Sequence, residues 1–281
     1  MKTLTWCTDI HLDFLHGDPN RSVLREFIQP LADSADGFVI TGDLTISSLL
    51  PLHLQALDKL GKPVYFVLGN HDFYGGVFDE VRQDVIDTCD ESNNLRYLTS
   101  EVKPISITPS TAIVGADGFY DGGYGQPYRS GIVMSDWVKI RDFSLTGAVT
   151  PAHNGFNINM EVVLNVARRQ ADLSADHVHR LASAAATTHQ LVLIVTHVPP
   201  FPELHVHGGK GSTPYGIPWY TSRTMGEALL DLARANPNTR FEVLCGHTHS
   251  SSSRQFTDNM SCHVGHSEYG NPRPAGQLQV P

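Results

Sequence analysis

Cysteine is scarce in this chain of 281 residues: there are four, at positions 7, 89, 245 and 262, and none sits in a C-x-x-C spacing. That argues against a disulfide-stapled scaffold and against a structural zinc site built on paired thiolates. Cys7 and Cys245 lie in apolar, strand-like context and read as buried free thiols. Long hydrophobic runs are missing as well. No stretch could span a bilayer, and no leader-like apolar segment precedes Leu4-Thr5-Trp6-Cys7, so a soluble, reducing, cytoplasmic setting with no membrane partner is expected. Positive charge is short too. Lys and Arg number 20 against 29 Asp and Glu, the net charge is −9, and no basic run occurs. Proteins that track a nucleic-acid backbone carry a basic face, so a polymeric nucleic acid is not the expected partner. Internal repeats and low-complexity tracts are also lacking.

What is present is enough apolar sequence for a sizeable core, 41% of residues, arranged as strand-like runs alternating with helix-period segments. That is the pattern of an α/β protein. Leu4 to Cys7, Gly37 to Ile40, Pro63 to Leu68, Leu191 to Val195 and Phe241 to Leu244 read as strands. Leu24, Phe27, Ile28 and Leu31 mark an amphipathic helix over residues 21–33; residues 48–60 and the segment around Met225, Ala228, Leu229 and Leu232 read as further helices. Residues 115–150, rich in Gly, Tyr and Asp, read as irregular. Residues 151–189 read as mostly helical, with Ser174 as a candidate N-cap. The tail from Asn271, with Pro272, Pro274 and Pro281, reads as irregular.

Each predicted strand stops at a short polar motif: Asp9-Ile10-His11, Gly42-Asp43, Gly69-Asn70-His71-Asp72, His197, and Gly246-His247-Thr248-His249. In open α/β sheets ligands bind beyond the carboxyl ends of strands. Asp, His and Asn suit divalent ions bound through oxygen and nitrogen, and two ions close together are a device for in-line displacement at phosphorus. Asp9 with His11, and His247 with His249, are two apart on extended chain, so each pair projects to one side and can chelate. Asp43 has two oxygens and could bridge. Taken singly, most of these histidines would read as structural hydrogen-bonding residues. Ordered together, each after a strand, they read as a metal centre. Because the motifs run from residue 9 to residue 249, a single domain over 1–281 is expected, with 115–189 as a less regular insertion. Residues 117–128 could be a substrate-covering loop or ordinary packing. Asp13 could support His11, and His205 and His207 could touch substrate or lie in solvated loop.

The motif series D-x-H, G-D, G-N-H-D, H and G-H-x-H resembles that of the calcineurin-like metallophosphoesterases along almost the whole chain. The resemblance implies a four-layer α/β/β/α sandwich and two metal ions, with Mn, Fe and Zn all acceptable. It implies that Asp9, His11, Asp43 and His249 hold the first ion and that Asp43, Asn70, His197 and His247 hold the second. It also implies that His71 binds no metal and stands by the phosphoryl group with Asn70, while Asp72 orients His71 and raises its pKa. A small phosphate ester attacked by hydroxide is then the expected substrate. The protein Ser/Thr phosphatase branch has an Asp-Arg-Gly sequence after its G-D motif and Glu after G-N-H. This chain reads Leu44-Thr45-Ile46-Ser47 and Asp72 there. It looks more like the small bacterial-type branch, so a phosphodiester such as a nucleotide is favoured over a monoester or phosphoprotein. Arg129, Lys210 and Arg223 are candidates for a phosphate grip. Members of the fold that act only as protein-binding scaffolds lose ligands or the catalytic His, and this chain keeps them.

Overall fold

The computed structural model describes all residues except 18–20, 34 and 208–209, together with the side chains of His207 and Lys210. Two sheets carry the described fold. The first runs, edge to edge, Pro274–Val280, Lys2–Cys7, Gly37–Thr41, Val64–Val67 and Leu95–Tyr97. Its strands are parallel except for the antiparallel Pro274–Val280 edge. The second runs Ser252–Thr257, Met260–Val264, Arg240–Cys245, Leu191–Val195, Thr111–Gly115 and Ile105–Thr108, with a parallel centre and an antiparallel strand at each edge.

Alternation along the strands assigns the layers. Leu4, Trp6, Val39, Tyr65 and Val67 of the first sheet share one apolar cluster with Ile113, Leu193, Val195 and Leu244 of the second, so these faces pack on each other. The intervening residues Phe38, Ile40 and Phe66 turn outward under the helices Leu50–Asp58 and Phe78–Asp90. Val192, Ile194, Phe241 and Val243 turn outward under Met160–Ala186 and Arg223–Ala235. The result is the expected α/β/β/α sandwich. Strands covered on both faces are apolar throughout, which is why Leu191–Val195 reads as an unbroken hydrophobic run.

Three local expectations change. The predicted helix over 21–33 is shorter, a π-helical stretch Leu24–Ile28 continuing into Gln29–Leu31. Ser174 is not an N-cap: it lies inside Met160–Ala186, where its hydroxyl accepts a hydrogen bond from the Gly118 N–H (3.2 Å), and Asn159 caps the helix by accepting from the Val162 N–H. The helix therefore begins after a hairpin, Val149–Ala152 with Gly155–Ile158. The tail is not irregular from Asn271 onward. Pro274–Val280 pairs with Lys2–Cys7, and proline is tolerated there because the strand lies at a sheet edge.

Candidate metal centre

Parallel strands all end on one rim, so the loops that follow them meet. Lys2–Cys7, Gly37–Thr41 and Val64–Val67 deliver Asp9, His11, Asp43 and Asn70 from the first sheet. Leu191–Val195 and Arg240–Cys245 deliver His197, His247 and His249 from the second. Backbone bonds lock the loops together: the Asp9 N–H donates to the Gly42 carbonyl (3.1 Å), His11 to Asp43 (3.0 Å) and Gly246 to His197 (2.8 Å). Room for this meeting depends on glycine. A Cβ on Gly69 would run into Asp43 and His197, and one on Gly246 would strike Thr8 and Asp9.

The backbone is held in an uncommon conformation here. Among the described residues the only non-glycine positions with positive φ are Asp9 (45°), His11 (41°), Asp43 (52°), His247 (70°) and His249 (55°). Such residues cost free energy and persist where the surroundings over-determine them, chiefly at functional sites. All five belong to the set singled out from sequence.

Two groups of donor atoms result. In the first, one ligand atom each from Asp9, His11, Asp43 and His249 lies within 4.8 Å of every other. His11 Nε2 is 3.3 Å from His249 Nε2 and 3.7 Å from Asp43 Oδ2, and His249 Nε2 is 3.4 Å from Asp9 Oδ1. In the second, Asn70 Oδ1 is 3.0 Å from both His197 Nε2 and His247 Nδ1, and Asp43 Oδ1 is 3.4 Å from His197 Nε2. The two oxygens of Asp43 thus face different groups.

Hydrogen bonds fix which atoms point inward. His197 Nδ1 lies 2.8 Å from the Thr41 carbonyl and His247 Nε2 lies 3.0 Å from the Trp219 carbonyl. A carbonyl only accepts, so these nitrogens carry the ring protons, and His197 Nε2 and His247 Nδ1 present lone pairs. The Asn70 amide nitrogen donates to Asp136 Oδ1 (2.8 Å), which turns Asn70 Oδ1 toward the same lone pairs. Acceptors facing acceptors at 3.0 Å, in a buried place, repel unless a cation lies among them. The residues therefore fit a metal ion. Burial is the main reason His11 is held down at about 3 and His247 at about 4. Burial alone would raise Asp9, yet His249, His197 and His11 together bring it below the ordinary carboxylate range. Burial, with Asp9 and Asp72 nearby, drives Asp43 up. Two adjacent carboxylates that cannot both ionise comfortably are what a cation relieves.

Asp72 departs from expectation. Its carboxylate accepts from the backbone N–H groups of Leu44 (3.2 Å), Thr45 (2.9 Å) and Gly69 (2.8 Å), tying two ligand loops together, and it does not bond His71. Burial raises Asp72 to about 7. His71 is instead stacked on Tyr74 (ring centroids 4.3 Å apart) and edge-on to His11 (4.7 Å). Burial, then the imidazoles of His11, His197 and His247, hold it well below the ordinary histidine range rather than above it.

Asp136 was missed from sequence. It is fully buried in Ser135–Lys139, accepts from both Asn70 and the Tyr74 hydroxyl (2.6 Å), and lines a cavity of about 230 Å³ over the site with His71, Tyr220 and Tyr269. Nothing in a lone Asp within an irregular segment marks it. Residues 117–128 do not cover the site. Asp117 is buried behind it, bonded by Tyr97, Thr99 and Arg82, and Tyr120 is buried and accepts from Trp137. Residues 132–136, Tyr220 and Tyr269 line the cavity instead. Asp13 makes no hydrogen bond to His11, and His205 is buried with its ring stacked on Tyr220 (4.6 Å). Neither Arg129 nor Arg223 lines this cavity; Arg223 is exposed and paired with Glu227 (2.7 Å). The side chains of Lys210 and His207 lie outside the described residues.

Strand ends that converge Asp, Asn and His donors are the build of a metallohydrolase. The family model for calcineurin-like phosphoesterases matches residues 2–251, so the chain belongs to that family of metal-dependent phosphoric ester hydrolases. No curated protein sequence matches the chain. Among solved structures it is similar to a dimetal phosphatase from Danio rerio, at 15% identity and a TM-score of 0.56, over 94% of this chain and 87% of that one. It is similar to the protein TT1561 of Thermus thermophilus, at 13% identity and a TM-score of 0.50, over 94% and 89%. It is also similar to GAP50, the anchor in the inner membrane complex of Plasmodium, at 11% identity and a TM-score of 0.50, over 93% and 70%. At these identities the likeness is one of fold.

Proposed function

We propose that the chain is a dimetal phosphodiesterase acting on a small substrate such as a nucleotide. Asp9, His11, Asp43 and His249 would hold one ion, and Asp43, Asn70, His197 and His247 the other. The observation that carries this is Asp43: Oδ2 faces His11 at 3.7 Å while Oδ1 faces His197 at 3.4 Å. Bound ions of this kind supply Lewis acidity toward phosphoryl oxygens and bring a water toward ionisation at neutral pH.

The chain's own residues do the rest. Asp136 holds the Asn70 amide so that its oxygen faces inward. The Thr41 and Trp219 carbonyls hold His197 and His247 in the tautomers that present a lone pair. His71 opens on the cavity beside Tyr74 and is placed to give an N–H to a phosphoryl or leaving oxygen. Asp72 acts at a remove, by pinning the loops that carry Asp43 and Asn70. The absence of any Arg or Lys among the described residues lining the cavity supports a diester, whose single phosphoryl charge needs no cationic side chain beyond the two ions. Manganese, iron and zinc all suit this donor set. Four free cysteines, three of them buried, favour a reducing compartment such as the cytoplasm. No described helix is long and apolar enough to cross a membrane.

Hydrolysis of bis-p-nitrophenyl phosphate by Mn²⁺-loaded protein, against an EDTA-stripped control, tests the proposal. Metal-dependent release of nitrophenol supports a diesterase. Release from p-nitrophenyl phosphate alone would make the protein a monoesterase. No release from either, by protein holding two metals, would favour a protein-binding scaffold, the one role the intact donor set speaks against.

A further inference from the structure

Three tyrosines from separate segments stand around the cavity, each against a different part of the site. Tyr74 stacks on His71 (ring centroids 4.3 Å apart), Tyr220 leans on His247 (5.3 Å), and Tyr269 covers His11 and His249 (4.4 and 4.7 Å). Ile132, Val133 and Met134 line the same space. Its mouth is apolar and open to water: Tyr269 is 50% exposed, Val133 57%, and Phe14, whose ring lies 5.0 Å from Tyr269, 50%. Large apolar groups left exposed together around a concave site mark a binding surface. Tyr269 is also held in place. Ser267, two residues before it, donates its hydroxyl to the Asp9 carbonyl and its N–H to the His249 carbonyl (3.3 Å), and Arg21 bonds the Gly270 carbonyl just after it.

The charges are one-sided. Among the described residues no Lys or Arg lines the cavity, and the charged side chains there besides the histidines are the carboxylates Asp43 and Asp136. A substrate carrying a second anionic group would bring it against Asp136, since the Lys139 ammonium, which lies over the Tyr74 ring (4.7 Å), is not among the residues that line the cavity.

Resting on the phosphoesterase reading above, we propose that this aromatic wall seats the alcohol part of the substrate. It selects a flat, uncharged aromatic group bearing one phosphoryl group, with Tyr269 as its main specificity-determining side chain. Aromatic faces offset against each other gain beyond area burial, enough for about a tenfold preference over an alkyl group.

Calorimetric titration of Mn²⁺-loaded protein with the monomethyl esters of phenylphosphonate, methylphosphonate and 4-carboxyphenylphosphonate, each with the single phosphoryl charge of a diester, tests this without relying on turnover. The phenylphosphonate ester should bind about tenfold tighter than the methylphosphonate ester, and the added carboxylate should cost most of that gain. Tyr269→Ala should bring the phenyl-to-methyl ratio close to one while bound manganese, measured by mass spectrometry, stays at the wild-type level. Tyr269→Phe should keep the ratio, since the ring face and not the hydroxyl is at work. Equal, metal-dependent binding of the phenyl and methyl compounds would overturn the aromatic seat and leave the dimetal phosphoesterase standing. A preference that survives Tyr269→Ala would remove Tyr269 from the role. Failure of every phosphonate to bind in a metal-dependent way would overturn both.

Discussion

Asp43 and Asp136 make separable predictions at the level of single side chains. Asp43→Asn keeps the size of the proposed bridge but takes away its charge and one of its accepting oxygens, so both proposed ions should be held more weakly. Elemental analysis after dialysis should find clearly less than the wild-type metal, and a full complement with normal turnover would refute the bridge. Asp136→Ala removes the acceptor that orients Asn70 (2.8 Å) and frees the Tyr74 hydroxyl. Loss of a partner to ligating residues typically costs roughly 10–100-fold in metal affinity or activity. The deficit should fall on one of two equivalents, because the Asp9, His11 and His249 group makes no hydrogen bond to Asp136 among the described residues. His71→Ala should keep both metals and lower turnover by about 10²–10⁴; unchanged turnover would remove His71 from the chemistry. The proposed ligands could be picked out in the sequence because each follows an apolar strand. Asp136 could not, since its meaning depends on a contact 66 residues away. Asp72 turns to the Leu44, Thr45 and Gly69 amides and not to His71, because sequence adjacency says nothing about which way a side chain turns on the short helical turn His71–Phe73.

At the scale of elements, helix Leu50–Asp58 carries an unusual cost. His53 is 1% exposed, neither ring nitrogen has a hydrogen-bond partner among the described residues, and burial, with His16 nearby, lowers it to about 4. A depressed histidine favours its neutral form in the fold. Above about pH 6.5 it costs nothing through ionisation. As pH falls from there toward 4, the unfolded chain takes up a proton that the folded one refuses, and stability is lost. The loss is at most about 3 kcal/mol, reduced by whatever solvent screening reaches the ring. His53→Leu should therefore narrow the difference between denaturant midpoints at about pH 7.5 and about pH 5; an unchanged difference would show that His53 is not what acid acts on. The strands were legible for the same reason that they are stable, since both their faces are covered. The boundaries of Met160–Ala186 and the strand character of Pro274–Val280 were not. One depends on a hairpin preceding the helix, and the other on an edge offered by strand Lys2–Cys7.

For the whole molecule, the proposed metals would close a structure that is strained without them. Five residues at positive φ and facing acceptors concentrate at the one place where the two sheets' loops meet. Binding to the folded state alone adds about 2.7 kcal/mol per site at a free metal concentration of about 100 times Kd. Scanning calorimetry with Mn²⁺ and with EDTA should show a higher Tm for the loaded protein, and equal values would argue against ions bound in this place. The same geometry has a consequence in time. In synthesis, Lys2–Cys7 is made well before Pro274–Val280, the strand that covers its edge, and Asp9 well before His249. Until Pro274–Val280 has been made, the nascent protein carries a bare strand edge, open to pairing with a neighbouring chain on the same message. A chain stopped before Pro274 should accumulate in the insoluble fraction even though every proposed ligand has already been synthesised.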